Sequence, residues 1–232
     1  MIIHQGIVCF LDLLGYKEMV KRDSGPFEPI YLPKIEDLLT SLKPSFDKTG
    51  LEIRQFSDSI VLSSKYSIDN AVKIIEAAAQ VQYSMIINGI LVRGGIAIGR
   101  HYTNGDIVYS QALVEAYYIE SKYARFPRIV IDQNLIELML GTSEDPKQLE
   151  LKLSHILLKD SDSLSFINYL YNQDDDLHGR VIMDLLKQTN LNHPSLYEKY
   201  RWLTEYHNYI VSKKGKKTLQ FPLPSFSSWN YT

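Results

Sequence analysis

Two short segments hold the residues best suited to chemistry: Phe10-Leu11-Asp12-Leu13-Leu14-Gly15 and Gln55-Phe56-Ser57-Asp58-Ser59-Ile60. Each ends or interrupts an apolar β-like run with one aspartate, and a carboxylate beside a core is costly unless something compensates it. If both runs belong to one sheet, the two carboxylates converge on one point. They then repel each other, and a hard cation such as Mg²⁺ is the usual remedy. A metal held in this way bridges carboxylate and phosphate oxygens, which suits the handling of a nucleoside triphosphate. Taken singly, each acid has a plainer role. Asp12 would cap a following helix, and Asp58 would shape a hairpin turn. Jointly they say more, because the second strand of such a hairpin commonly pairs beside the first strand of the chain.

The elements that must position these acids follow from the pattern of apolar residues. Ile2 to Leu11 reads as a buried central strand, and Leu13-Leu14-Gly15 as a turn whose backbone amides can cradle phosphate oxygens. Pro29 to Leu42 has helical spacing. Leu51–Phe56 and Ser59–Ser63 read as a hairpin around Ser57-Asp58. Ile68 to Ile87 is a strong helix with one apolar face. Leu91 to Gly99 is a strand with three glycines, followed by turn chemistry at Asn104-Gly105-Asp106. A helix from Gln111 to Tyr123, a strand from Arg128 to Asp132 and a helix from Asn134 to Leu140 come next. After a break at Gly141 to Pro146, Lys152–Leu158 and Leu164–Leu170 are expected to pair as strands around Lys159 to Ser163. Gly179 to Lys213 is helical with an interruption near Pro194, and Lys213 to Thr232 is expected to form a loose arm or a strap. The order implies an α+β fold with helices on one face of a sheet. A catalytic domain over 1–172 and a C-terminal helical segment with a tail over 173–232, packed on it, are expected.

The 232 residues are 45% apolar, so global disorder is excluded. A net charge of −2 gives no electrostatic reason to expect a nucleic-acid or anionic-membrane partner. The single Cys9 excludes an intrachain disulfide framework. With no signal peptide and no membrane-length apolar run, cytoplasmic localisation is the expectation.

The series Phe10–Gly15, Arg54-Gln-Phe-Ser-Asp58, Arg93-Gly-Gly-Ile-Ala-Ile-Gly99 and Ala112-Leu-Val-Glu-Ala-Tyr-Tyr-Ile-Glu120 resembles the class III nucleotidyl cyclases, in order and spacing, over about residues 5–170. Within that superfamily it looks most like the short bacterial uridylate cyclases of Pycsar antiphage defence. The resemblance implies the ferredoxin-like palm sheet of that superfamily. It also implies two Mg²⁺ or Mn²⁺ ions per site, bound by Asp12 and Asp58 with the Leu13 carbonyl as an extra ligand. Phe10, Leu14, Gly15, Arg54, Arg93 and Lys159 would bind substrate. The implied reaction is UTP to 3′,5′-cyclic UMP and pyrophosphate, with the product activating a separate effector protein. Family members build the site across a homodimer, with metal and base groups from one chain and helix groups from the other. GTP or ATP cyclisation, and a degenerate domain that only binds nucleotide, are the alternatives.

Arg54 lies four residues before Asp58, where the purine enzymes place a base-selecting lysine or glutamate. A guanidinium donates hydrogen bonds and accepts none, so it favours a base carbonyl such as uracil O4 or guanine O6. A strand arginine paired at the surface is the plainer reading. The chain departs from the purine enzymes on the helix after the glycine-rich strand. Val114 and Tyr118 stand where those enzymes carry an asparagine and a transition-state arginine. Tyr118, Lys122 and Arg125 are therefore the candidate groups offered to a partner chain's site. Gly94 and Gly95 serve either close approach of a ligand or tight sheet–helix packing. His101, His178 and His207 lack metal-like spacing. Asp174-Asp175-Asp176 reads as a solvated loop, and the aromatic stripe from Tyr200 to Val211 as a packing or dimer helix.

Overall fold

A computed structural model describes residues 2–104 and 107–223, with the side chains of 45–49 outside the description. The expected turn at Gly105-Asp106 and the tail over 224–232 lie outside the described residues. The described chain divides into two compact units on either side of the Gln173–Asp174 boundary.

The first unit is α+β, as its sequence pattern predicts. In chain order it comprises β1 (His4–Leu13), α1 (Tyr16–Asp23), α2 (Tyr31–Thr49), β2 (Glu52–Phe56), β3 (Ser59–Lys65), α3 (Ile68–Ile87), β4 (Val92–Thr103) and β5 (Val108–Ser110). There follow α4 (Gln111–Tyr123), β6 (Ile129–Ile131), α5 (Gln133–Thr142), α6 (Pro146–Ile156), β7 (Leu157–Lys159) and β8 (Ser165–Ile167). The strands form one eight-stranded sheet in the order β2-β3-β1-β4-β6-β8-β7, with β5 paired to β4. β1 is central and antiparallel to both β3 and β4. Its residues from Gly6 to Leu11 are all buried, which is why this strand reads as an unbroken apolar run rather than an alternation.

The two faces of the sheet are covered differently. α3 packs on β1, β3 and β4, and Ser67 caps it by accepting the Asn70 N–H at 3.1 Å. α4 packs on β4 and β1, where Val8, Phe10, Val61 and Ala97 meet Ala112, Ala116 and Ile119. Alternate residues of a strand point to opposite faces, so α4 covers the Val8–Phe10 side and Ile7, Cys9 and Leu11 face the other. The glycines of β4 serve this packing. A Cβ on Gly95 would lie 2.3 Å from the Ala116 carbonyl oxygen, and one on Gly94 2.5 Å from the Phe10 carbonyl oxygen. Of the two roles open to the Arg93-Gly94-Gly95 run, the glycines thus perform close packing.

Two expectations need correction. Most of the segment expected to pair as a strand from Lys152 to Leu158 belongs to α6. Asp145 caps this helix by accepting the Gln148 N–H at 3.0 Å, Pro146 occupies its first turn, and Leu149, Leu153 and Ile156 are its buried face. Only Leu157–Lys159 remains as strand, paired with β8. Asp174-Asp175-Asp176 is likewise not a solvated loop but the start of α7 (Asp175–Gln188) in the second unit.

That second unit consists of α7 and α8 (Pro194–Lys213). Asp174 caps α7 by accepting the Leu177 N–H at 2.9 Å. Asp175 is 4% exposed and pairs with Lys214 at 2.7 Å and Lys216 at 2.5 Å. Burial pushes its pKa up, but the two ammonium groups outweigh that and hold it at about 2. The early tail is tied to α8 itself, since the Asn208 side chain bonds the Leu219 backbone in both directions, at 2.8 and 2.7 Å. Trp202 stacks on Tyr206 and Tyr206 lies edge-on to His178 of α7, so the aromatic stripe packs within this unit.

Candidate functional site

Asp12 stands next to last in β1, opposite Ser59 of β3 and Arg93 of β4. One residue on, the Leu13 N–H donates to the Asp58 carbonyl at 2.9 Å. This bond fastens the β2–β3 turn to the end of β1 and brings the two aspartates to one corner of the sheet. Ser57 carries the sharp part of that turn with φ of 55°. Asp12 does not cap the following helix; Gly15, in the left-handed region at φ 81°, holds the N-cap position with no side-chain bond. The Leu14 N–H is used by the Leu91 carbonyl at 2.9 Å. Leu13 and Leu14 therefore have no amide left for a phosphate, and among the described residues the open amides of this turn are those of Gly15, Tyr16 and Lys17.

Register and strand parity place the other expected residues. Phe10 pairs with Val61 and Gly95, and Val61 pairs with Arg54. Directly paired residues share a face, so Phe10, Asp12, Arg54 and Arg93 lie on the α4 side of the sheet. Phe10 is buried there with its ring edge-on to Tyr117 at 5.4 Å, an apolar floor beside the acids. Arg54 pairs with Glu52 at 3.1 Å and donates to Thr103 Oγ1.

Arg93 is the cation of this corner. Its Nε donates to Asp12 Oδ2 at 3.0 Å and lies 2.7 Å from Glu120 Oε1. The single Nε hydrogen is directed at Asp12, so the buried Glu120 Oε1 has the positive charge nearby but no aligned hydrogen bond. Burial is the main cause that raises the Glu120 pKa to about 7. Arg93 works against this, while the negative charges of Asp12 and Asp58 add to it. Glu120 therefore stands in the same corner as the two aspartates, joined to Asp12 through Arg93. Glu120 escapes sequence reasoning because helical spacing says only that it follows Ala116 by one turn.

The donor chemistry fits a divalent cation. Asp12 and Glu120 share the Arg93 guanidinium and Asp58 joins them at this corner, so the carboxylates outnumber the cation that faces them. The only other hydrogen bond to an Asp12 or Asp58 carboxylate among the described residues is Ser59 Oγ to Asp58 Oδ1, at 3.4 Å.

Lys159 and Tyr118 are brought together elsewhere, in the lining of a cavity of about 530 Å³ that also includes Tyr123, Asp132, Ser163 and Ser165. Asp12 and Asp58 do not line it. Lys122 and Arg125 are exposed at the end of α4 and beyond, outside that lining. α4 turns Val114, Tyr117 and Tyr118 outward at helical spacing, 67%, 55% and 45% exposed.

The histidines are more structured than their spacing suggests. His178 and His207 in the second unit contact ring to ring, Nδ1 to Nδ1, at 3.1 Å. Burial, then the neighbouring His207, lowers the His178 pKa to about 3. His101 bonds Ser110 through Nδ1 at 2.8 Å. The Asp174, Asp175 and Asp176 carboxylates lie within 4.8 Å of one another, because a first helical turn curls them together.

No protein-family model matches the chain, and no curated protein matches it. Among solved structures it is similar to the adenylyl cyclase CyaB from P. aeruginosa, with 12% identity over 72% of this chain and 94% of that one, TM-score 0.47. It is similar to the guanylyl cyclase domain of the RhoGC fusion protein from Blastocladiella emersonii, with 16% identity over 71% and 93%, TM-score 0.47. A third is the adenylate/guanylate cyclase/hydrolase from Silicibacter pomeroyi, with 14% identity over 72% and 96%, TM-score 0.47.

Proposed function

We propose that this chain is a metal-dependent nucleotidyl cyclase that converts UTP to 3′,5′-cyclic UMP and pyrophosphate. The observation that carries this reading is the convergence of Asp12 and Asp58 at one corner of the sheet, fixed by the Leu13 N–H to Asp58 carbonyl bond. Two Mg²⁺ or Mn²⁺ ions, held by Asp12 and Asp58, would supply the positive charge that lowers the pKa of the ribose 3′-hydroxyl and offsets the charge of the triphosphate. Asp12 and Asp58 hold the ions, with the Leu13 carbonyl as a further oxygen. Arg93 balances the excess carboxylate charge, and the amides of Gly15 to Lys17 face the phosphates from the start of α1.

Arg54, on the same sheet face as Asp12, donates to the base carbonyl, the preference expected for uracil over adenine or cytosine. Lys159 and Tyr118 line a different cavity from the acids. The reading therefore uses a homodimer, in which one protomer's acids meet its partner's α4 and β7 groups. The outward stripe Val114-Tyr117-Tyr118 is the apolar surface that such a dimer would cover. The product would act as a second messenger on a separate effector protein in antiphage defence.

One observation favours a second reading. Arg93 already bonds Asp12, and α4 offers no guanidinium at Val114 or Tyr118, as in a domain that binds nucleotide without turning it over. Incubation of the purified chain with each of the four NTPs and Mn²⁺, followed by mass spectrometry, separates the two. Cyclic UMP as the main product supports the first reading. A cyclic purine as the main product removes the uracil preference, and no cyclic product from any NTP removes the cyclase.

A further inference from the structure

Arg128 has no part in the site as drawn so far, yet among the described residues no larger side chain is so completely buried. It directly precedes β6. Its guanidinium bonds Asp160 and Asp162 in the β7–β8 turn, with a further Nη1 to Asp162 Oδ1 bond at 3.2 Å. Nη2 also donates to the Tyr123 carbonyl at 3.1 Å, at the last residue of α4, and the cation sits 5.3 Å from the Phe126 ring centre. One buried charge thus joins three pieces of chain. They are the end of α4, the start of β6 and the turn that begins directly after Lys159.

Those pieces are walls of the 530 Å³ cavity that contains Tyr118, Tyr123 and Lys159. Tyr118 and Tyr123 meet edge to face at 5.8 Å, and the carbonyl bond from Arg128 holds the helix end that carries this ring pair. A lysine on a free turn samples many positions. One on a turn held at Asp160 and Asp162 is already placed, and the ordering cost of binding an anion falls accordingly.

We propose that Arg128 is a positioning residue for polyphosphate recognition: it locks the Asp160–Ser163 turn to the end of α4 so that Lys159 and Tyr118 present one preset surface to the substrate's phosphates. This rests on the cyclase reading for the identity of the substrate.

The test uses the full chain. Arg128→Met removes the clamp, and Asp162→Asn, at the more exposed of the two carboxylates, weakens it without opening the core. Both are measured for folding by circular dichroism, for KM and kcat with the preferred NTP, and for inhibition by pyrophosphate. In folded Asp162→Asn, KM and the pyrophosphate inhibition constant rise together, on the order of tenfold, as for loss of one charge-assisted contact. The expected change in kcat is much smaller, and Mn²⁺ binding read by electron paramagnetic resonance is unchanged. In a Lys159→Ala background Asp162→Asn adds little, because the clamp acts through that lysine.

Unchanged pyrophosphate inhibition in a folded clamp variant overturns the proposal, as does a full independent effect on top of Lys159→Ala. If the wild-type chain binds neither NTP nor pyrophosphate, the cyclase reading itself has failed.

Discussion

Arg93 gives Asp12 a positive partner before any metal arrives, and Glu120 draws the same guanidinium away from it. The balance between these two acids sets how accessible Asp12 is. Asp12→Ala or Asp58→Ala is expected to abolish cyclisation with Mn²⁺ present. The expected change in stability is only about 1 kcal/mol, because both acids stand at the rim of the core. Turnover assays beside thermal denaturation check this, and near-normal turnover by either variant removes the two-metal scheme. Glu120 has a different signature. Its folded-state pKa, about 7, lies above the ordinary carboxylate value of 4.5, so the folded chain holds this proton where the unfolded chain has lost it. The stability difference therefore falls as pH rises from about 4.5 to about 7, and Glu120→Gln should flatten that slope. Denaturation midpoints at pH 5 and pH 8 read it directly. If the slope is the same in both proteins, Glu120 is ionised throughout the range. At Arg54, loss of a charge-assisted bond to the base carbonyl should cost about 2–4 kcal/mol in kcat/KM for UTP and much less for ATP. A UTP-to-ATP ratio that stays constant in Arg54→Ala would make Arg54 a structural residue, in keeping with its contacts to Glu52 and Thr103.

α4 is the element on which both halves of the scheme depend. Its buried face carries Ala116, Ile119 and Glu120 onto β4, and its outward face carries Tyr118. It can lie so close to the sheet only because Gly95 has no side chain. Gly95→Ala would put a Cβ 2.3 Å from the Ala116 carbonyl oxygen. A backbone atom cannot swing aside as a side-chain tip can, so the helix must shift. The expected destabilisation is about 2–3 kcal/mol, read from urea denaturation, with NTP turnover falling alongside it. A variant as stable as the wild type would show that α4 has slack at this point. Elsewhere, element type was readable where periodicity was long. The span Ile68–Ile87 and the hairpin around Ser57-Asp58 were both legible. The segment from Lys152 departs from expectation because its strand-like apolar run is short, and the start signal of its helix, Asp145-Pro146, lies N-terminal to that run.

At the scale of the whole molecule, the proposed shared site would make activity a property of two chains. If one protomer supplies Asp12 and its partner Lys159, then mixing Asp12→Ala and Lys159→Ala chains creates heterodimers with one intact site of two. Random pairing makes about half the dimers mixed, so at substrate concentrations well below KM the mixture should recover about a quarter of wild-type activity, above the mean of Asp12→Ala, which is inactive, and Lys159→Ala, which is impaired. No recovery after verified subunit exchange would place both groups in one chain's site. Tyr117→Asp on the outward stripe should lower the molecular mass in sedimentation and the activity together.

The sequence by itself determined the acids, the order of elements and the central strand, because each is written in local pattern: apolar runs, turn residues and an isolated charge. It could not decide the partners. That Arg93 lies between Asp12 and Glu120 depends on β1 and β4 lying side by side against α4, and that Arg128 reaches Asp160 and Asp162 depends on β6 pairing with β8, which brings the β7–β8 turn to the end of α4. Nothing in the spacing of those residues encodes such contacts. A charge becomes buried and paired only when distant strands assemble, and that assembly exists only in the folded chain.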